Sequence, residues 1–190
     1  MSDNTRKDLL QVIANDISLC TKCELHKERT NTVPGEGDER AKLVLLGEGP
    51  GAGEDQEGRP FIGRAGKLLT VMIERMGLKR EDVYILNICK CRPPGNRTPE
   101  QHEVDACLPY LKMQLKVIDP KVVVAMGACA TNALLGPGDS ISKRRGGIYH
   151  IDVDSKEITV IPTFHPAYLL RNPAAKQNVA QDLALVNKLL

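Results

Sequence analysis

Tryptophan is absent from the 190 residues, and phenylalanine occurs only at Phe61 and Phe164. A core so poor in aromatics must be filled by Leu, Ile, Val and Ala. The placement of each phenylalanine then becomes informative, because both stand beside unusual loops. Long apolar runs are missing too. None approaches the about 18–20 residues a membrane span needs, which excludes a bundle of membrane-spanning helices. The opening stretch MSDNTRKDLL is polar and carries no apolar signal core, so a cytoplasmic location is expected. Net charge is scarce as well: a formal +2 permits a polyanionic partner without demanding one. Basic residues gather at Lys143-Arg144-Arg145 and at Lys90, Arg92 and Arg97, where they serve either as phosphate contacts or as a solvated face.

Apolar residues at 42% and charged ones at 26% fit a globular chain. The length fits one domain over 1–190 with a core of its own, expected to be monomeric. No internal repeat, low-complexity tract or long linker divides it. Leu9, Leu10, Ile13 and Ile17 predict a helix over 5–19. AKLVLLGE reads as a strand, followed after a glycine-rich loop by a helix that Gly77 stops. DVYILNI is a second strand, running into the irregular CKCRPPGNRTP. A helix over 99–118 follows, with Thr98 as N-cap and Pro99 in its first turn. KVVVAMG, GIYHIDV and EITVIPTFHP are further strands, ACATNALL is a short helix, and 174–190 closes the chain as another. This alternation predicts a three-layer α/β/α sandwich with a mainly parallel central sheet. Such sheets bind ligands beyond the carboxyl ends of their strands. There the loops 47–61, 87–97 and 163–171 carry the chemistry.

Six cysteines in a chain without a secretion signal favour metal or redox chemistry over a disulfide framework. Cys20 and Cys23 form a C-x2-C pair that can face one metal from a single turn. Cys91 and Cys107, with fifteen residues between them, supply a second pair. Four thiolates suit Zn²⁺ or an iron–sulfur cluster, and the wide second spacing favours the cluster. Buried structural cysteines are the plain alternative. Cys89 and Cys129 are left over, the latter as a small buried hydrophobe.

Residues 47–53, GEGPGAG, match the start of a dinucleotide fingerprint. Pro50 lacks the N–H that a phosphate cradle requires, and Glu48 would repel an anion. The chain then continues as the acidic run EDQEG in place of a helix start. A neutral guest is expected. Phe61 offers a flat face for a planar ring, Asn87 a donor and an acceptor for a heterocycle edge, and His165 a polar group fixed by Pro166. Singly, each is as readily a core filler, a cap or a satisfied histidine. Together at strand ends, they point to a pocket.

GEGPGAGEDQEGRPFIGRAG, LNICKCRPPGNRTP with its downstream cysteine, and HPAYLLRN closely resemble the family 4 uracil-DNA glycosylases. The likeness runs from Cys20 to the last helix. It implies a uracil-DNA glycosylase-like fold and a [4Fe–4S] cluster on Cys20, Cys23, Cys91 and Cys107. It also implies uracil-containing DNA as partner and base excision repair as the setting. The uracil pocket would consist of the Glu48-Gly49-Pro50 backbone, Phe61 as stacking surface, Asn87 as edge reader and His165 near uracil O2. Such an enzyme flips its base out and reads the pairing edge, and cytosine would leave buried groups unpaired. His165 would donate to the leaving base, and Glu48 would position water or face the sugar. Glu54 is the second candidate for that acid, or excludes the thymine methyl; the residues leave the assignment open. Other branches carry a carboxylate or amide where this chain has Gly49.

The HPAYLLRN loop would wedge Leu169 or Leu170 into the DNA stack, with Arg171 near phosphate. Lys143 and Arg144 of SKRRGG would add phosphate contacts from an exposed turn. That turn is faintly similar to the basic loop of a branch that binds uracil covalently through a histidine. This chain has no such insertion before Cys107, so hydrolytic turnover is expected. Two other readings compete: an iron–sulfur redox protein that binds a nucleotide at the glycine loop, and a non-catalytic DNA-binding module of the replication machinery.

Overall fold

The computed structural model describes residues 3–190. Met1 and Ser2, part of the polar opening stretch and of the 1–190 span expected as one domain, lie outside the described residues. In chain order the elements are α1 (Asp3–Ser18), β1 (Glu36–Gly37), β2 (Leu43–Gly47), α2 (Ala52–Glu57), α3 (Arg64–Arg75), β3 (Tyr84–Asn87) and α4 (Gln101–Ile118). They continue with β4 (Val122–Met126), α5 (Ala128–Leu135), α6 (Ile141–Arg144), β5 (Tyr149–Val153), β6 (Lys156–Thr163), α7 (Pro166–Arg171) and α8 (Lys176–Leu189).

The strands form one sheet in the order β1-β3-β2-β4-β6-β5. β3, β2, β4 and β6 run parallel, and β1 and β5 close the two edges antiparallel. Side chains alternate across a strand, so an uninterrupted apolar run has to be covered on both faces. That happens here. Val44, Leu46, Val123, Ala125 and Val160 pack with α1, α4 and α5, through residues such as Ile17, Leu111 and Ala130. Leu43, Leu45, Val122, Val124 and Ile161 turn to the other face, against Leu69 and Ile73 of α3 and Val179 and Val186 of α8. Burying each such side chain contributes about 1.5–3 kcal/mol, which fixes the strand registers. The three-layer sandwich with a mainly parallel sheet is therefore observed.

Two local expectations are corrected. The acidic run after the glycines is helical, as α2, with Gly51 before it and the left-handed Gly58 ending it. Glu54 and Asp55 sit in its first turn, where carboxylates suit the free N–H groups. A missing helix start therefore no longer speaks against a phosphate cradle, whereas Pro50 and Glu48 still do. Thr98 is not the cap of α4. Pro99 has no N–H to give, and the helix begins at Gln101, with Glu100 N donating to Glu103 Oε2 at 2.7 Å.

Candidate active site

Gly47 and Asn87 are register partners at the carboxyl ends of β2 and β3. A methyl group built on Gly47 would lie 2.4 Å from Asn87 Oδ1 and 2.5 Å from Phe61 Cζ. Glycine is required there because amide and ring edge converge on the same point. They open into a cavity of about 560 Å³, whose walls include Glu48, Gly49, Pro50, Glu54, Phe61, Asn87, His165 and Arg171. The structure thus brings all the expected pocket residues together.

Phe61 is held by its backbone. Its φ of +50° is left-handed, and a Cβ at Gly66 would stand 1.8 Å from its carbonyl oxygen. Arg80 Nη2 donates to Pro60 O at 2.6 Å, bracing the same turn. The Phe61 and His165 rings lie 5.5 Å apart, tilted by 34°, as two sides of the slot.

Asn87 is only 2% exposed, yet its Oδ1 has no hydrogen-bond partner. An orphaned buried acceptor costs about 1–3 kcal/mol, and an explanation lies in what the cavity receives. His165 Nδ1 accepts a hydrogen bond from Ala167 N at 3.1 Å. Burial of the ring, helped by the nearby Arg171 charge, lowers its pKa to about 4. At neutral pH the ring is therefore uncharged, its proton is on Nε2, and that nitrogen is a donor.

Burial raises the Glu48 carboxyl above its usual range, and a hydrogen bond from the Thr98 side chain partly offsets this. Glu54 is differently occupied: its Oε1 accepts from Ile62 N at 3.0 Å and Gly63 N at 3.1 Å, tying the Phe61 turn to α2.

Cys20, Cys23, Cys91 and Cys107 line one small cavity on the α1/α4 side. Among the described residues, no three His, Cys, Asp or Glu side chains are drawn up as a metal-ligand set. The surroundings nonetheless favour negative charge on sulfur. Arg29 Nη1 lies 3.3 Å from Cys91 Sγ and 2.8 Å from Cys20 O. Lys90, 1% exposed, lines the same cavity. Burial lowers its pKa to about 8, while Cys107 and Cys89 push it back up. Burial raises Cys91 to about 11. Cys107 instead falls to about 6, through a hydrogen bond from Cys89 that outweighs its burial. Two cations around four thiols fit an anionic thiolate-bound group. Cys89 stands beside Cys107 but does not line the cavity. Cys129 is half-buried on α5.

At the rim, HPAYLLRN is not a loop but helix α7, and one wedge candidate is withdrawn. Leu169 is 1% exposed and packs in the α3/α8 core, whereas Leu170 is 38% exposed. One helix cannot send neighbouring residues to the same side. Arg144 is likewise removed from the DNA-facing set. It is buried, donating to Asn132 Oδ1 at 3.1 Å and Gly136 O at 3.0 Å. Lys143 stays exposed, 3.2 Å from Asp139. SKRRGG is therefore a short helix end with one outward lysine, since Arg145 pairs with buried Asp182.

Two neighbours of the site escaped the sequence reading. Thr98 is a partner of the Glu48 carboxyl and not a helix cap. Lys90, grouped with surface bases, donates to Asn87 O at 2.7 Å. Its place inside the apolar run ILNICKC was the available signal.

The uracil DNA glycosylase superfamily matches residues 34–187. The chain is 50% identical over 170 residues to a type-4 uracil-DNA glycosylase of Thermotoga maritima, covering 88% of this chain and 86% of that protein. It is 46% identical to the one of Sulfurisphaera tokodaii, covering 96% and 85%. With the one of Archaeoglobus fulgidus the identity is 44%, covering 95% and 92%.

Proposed function

The chain belongs to the uracil DNA glycosylase superfamily, among the type-4 uracil-DNA glycosylases, and from that premise we propose how its residues remove uracil. It is a monofunctional DNA glycosylase that hydrolyses the bond between deoxyribose C1′ and uracil N1, leaving free uracil and an abasic site. The observation that carries the pocket assignment is the unpartnered, buried Oδ1 of Asn87 beside Phe61. Uracil N3–H satisfies that oxygen, and the amide N–H group donates to O4. Cytosine presents the opposite pattern and would leave both sides unpaired.

Phe61 and the Glu48-Gly49-Pro50 backbone form the walls of the slot. As the C1′–N1 bond breaks, its electron pair moves into the uracil ring and onto O2, where His165 Nε2–H donates. An uncharged donor stabilises the developing anion. Glu48, held by Thr98, orients the water whose oxygen joins C1′, and its carboxylate takes the water's proton. Glu54 is spent on two backbone N–H groups and shapes the wall beside Phe61. Leu170 fills the gap left by the flipped base, with Arg171 and Lys143 near phosphates.

Cys20, Cys23, Cys91 and Cys107 hold the [4Fe–4S] cluster in this proposal, and the cations Arg29 and Lys90 beside the thiols support it. When bound, such a cluster would cross-link these four thiolates and so order the loops of the DNA face.

An end-labelled oligonucleotide with a single uracil, incubated with the protein and then treated with alkali, is expected to break at that position. An uncut strand beside an active control enzyme would overturn the assignment.

A further inference from the structure

We propose that Lys90 is a positioning residue that couples the cysteine site to the base-reading amide of Asn87. The proposal rests on the uracil-reading role given to Asn87 above.

Asn87 is the last residue of β3, and its Oδ1 accepts nothing within the chain. No hydrogen bond to that oxygen aims the amide, so its direction depends on packing and on the peptide that bears it. That peptide is clamped by Lys90, whose Nζ folds back to donate to Asn87 O at 2.7 Å. The same ammonium reaches toward Pro34 O at 3.5 Å, and Lys90 O accepts from Val33 N at 2.8 Å. Gln114 Nε2 meets the other side of this knot, donating to Pro34 O at 2.7 Å. Gln114 belongs to α4, two turns beyond Cys107. Strand end and crossing segment thus meet at the buried ammonium, and the helix joins them through Pro34 O.

A lysine 1% exposed is costly to keep charged unless anions lie nearby. Lys90 has no carboxylate partner among the described ion pairs. What it does face is the cavity lined by Cys20, Cys23, Cys91 and Cys107. With thiolates bound to a metal group, that cavity supplies the negative charge that keeps the ammonium in place. The ammonium in turn fixes the Asn87 peptide. Ile88 N donates to Gly47 O at 3.0 Å and holds the N–H side of that peptide, so loss of the clamp frees its carbonyl side to tilt, and misplacing a reading group by about 1 Å costs on the order of 100-fold in rate. DNA affinity stays unchanged, because Lys90 is sealed away from the surface.

The test is Lys90→Met, which removes donor and charge at similar volume. Steady-state rates on the uracil oligonucleotide, inhibition by free uracil, iron content and the cluster's reduction potential are measured beside the wild type. We expect kcat to fall about 10- to 100-fold with KM for DNA within about 2-fold, the pattern of a contact felt at the bound base. Inhibition by free uracil weakens in parallel, iron is retained, and the reduction potential moves negative because a cation has left. Wild-type kcat and uracil inhibition in the variant would overturn the proposal, as would a loss carried by KM for DNA. If Lys90→Met fails to fold or loses iron, Lys90→Gln carries the same measurements. It keeps a donor, and an intermediate fall in kcat at unchanged KM is expected. Wild-type values, or a fall shared by KM, overturn the proposal there too. A wild-type chain that frees no uracil sinks the glycosylase reading instead, so the two failures are distinguishable.

Discussion

The segment 87–91 has a different kind of site at each end. At Asn87 the fold presents a hydrogen-bonding group with nothing attached to it, inside a cavity whose walls are already in place. At Cys91 it presents thiols ringed by cations, with no ligand-grade set drawn up among the described residues. The base pocket is complete in shape and unsatisfied in hydrogen bonding. The cysteine cavity combines four thiols with the positive charges of Arg29 and Lys90. Preorganisation lies where chemistry occurs, and in the proposed cluster-bound form folding energy would come from the other site.

The sharpest way to break this contrast is Asn87→Ala. Uracil release should fall roughly 100- to 1,000-fold, while the melting temperature holds or rises, because an orphaned acceptor has gone. A variant that melted early with undiminished catalysis would reverse the roles of the two sites. Cys91→Ser should do the opposite: loss of the brown colour and a much lower unfolding midpoint, with activity failing because the DNA face is disordered. Absorbance, iron content and thermal unfolding follow it. A colourless wild type would remove the contrast altogether.

A smaller effect separates Leu169 from Leu170. Leu169→Ala should cost about 2–5 kcal/mol of stability by opening a core cavity. Leu170→Ala should leave stability within about 0.5 kcal/mol and slow release from duplex DNA more than from single strands. Denaturant unfolding and paired activity assays check both. The mildest effect is on pH. The unfolded chain takes up a proton at His165 near the ordinary imidazole pKa of about 6.5, whereas the folded chain refuses it until about pH 4. The unfolded state therefore binds more protons in that window, and stability falls as pH drops through it. His165→Asn should flatten that part of the unfolding-versus-pH curve.

The sheet and the pocket were legible in the sequence because apolar runs and loop motifs are local signals. VVVAM reads as a strand covered on both faces, Asn87 and His165 stand at strand ends by chain order alone, and Phe61 belongs to the loop region that follows β2. What escaped depends on which side of a short helix faces the core. Leu169 and Leu170 are indistinguishable in HPAYLLRN until α7 docks between α3 and α8. Arg144 looks like its neighbours until Asn132 and Gly136 take its guanidinium. Thr98 caps nothing because Pro99 delays α4, a boundary that helix-start rules misplace by two residues.

The hydrogen bond from Ala167 N to His165 Nδ1 has a chemical consequence. It occupies the only basic lone pair of the uncharged imidazole, so the ring has nothing to offer an electrophile. Diethyl pyrocarbonate should carbethoxylate the outlying His102 and His150 and leave His165 unmodified, and a covalent sugar adduct at that ring has no nucleophile from which to form.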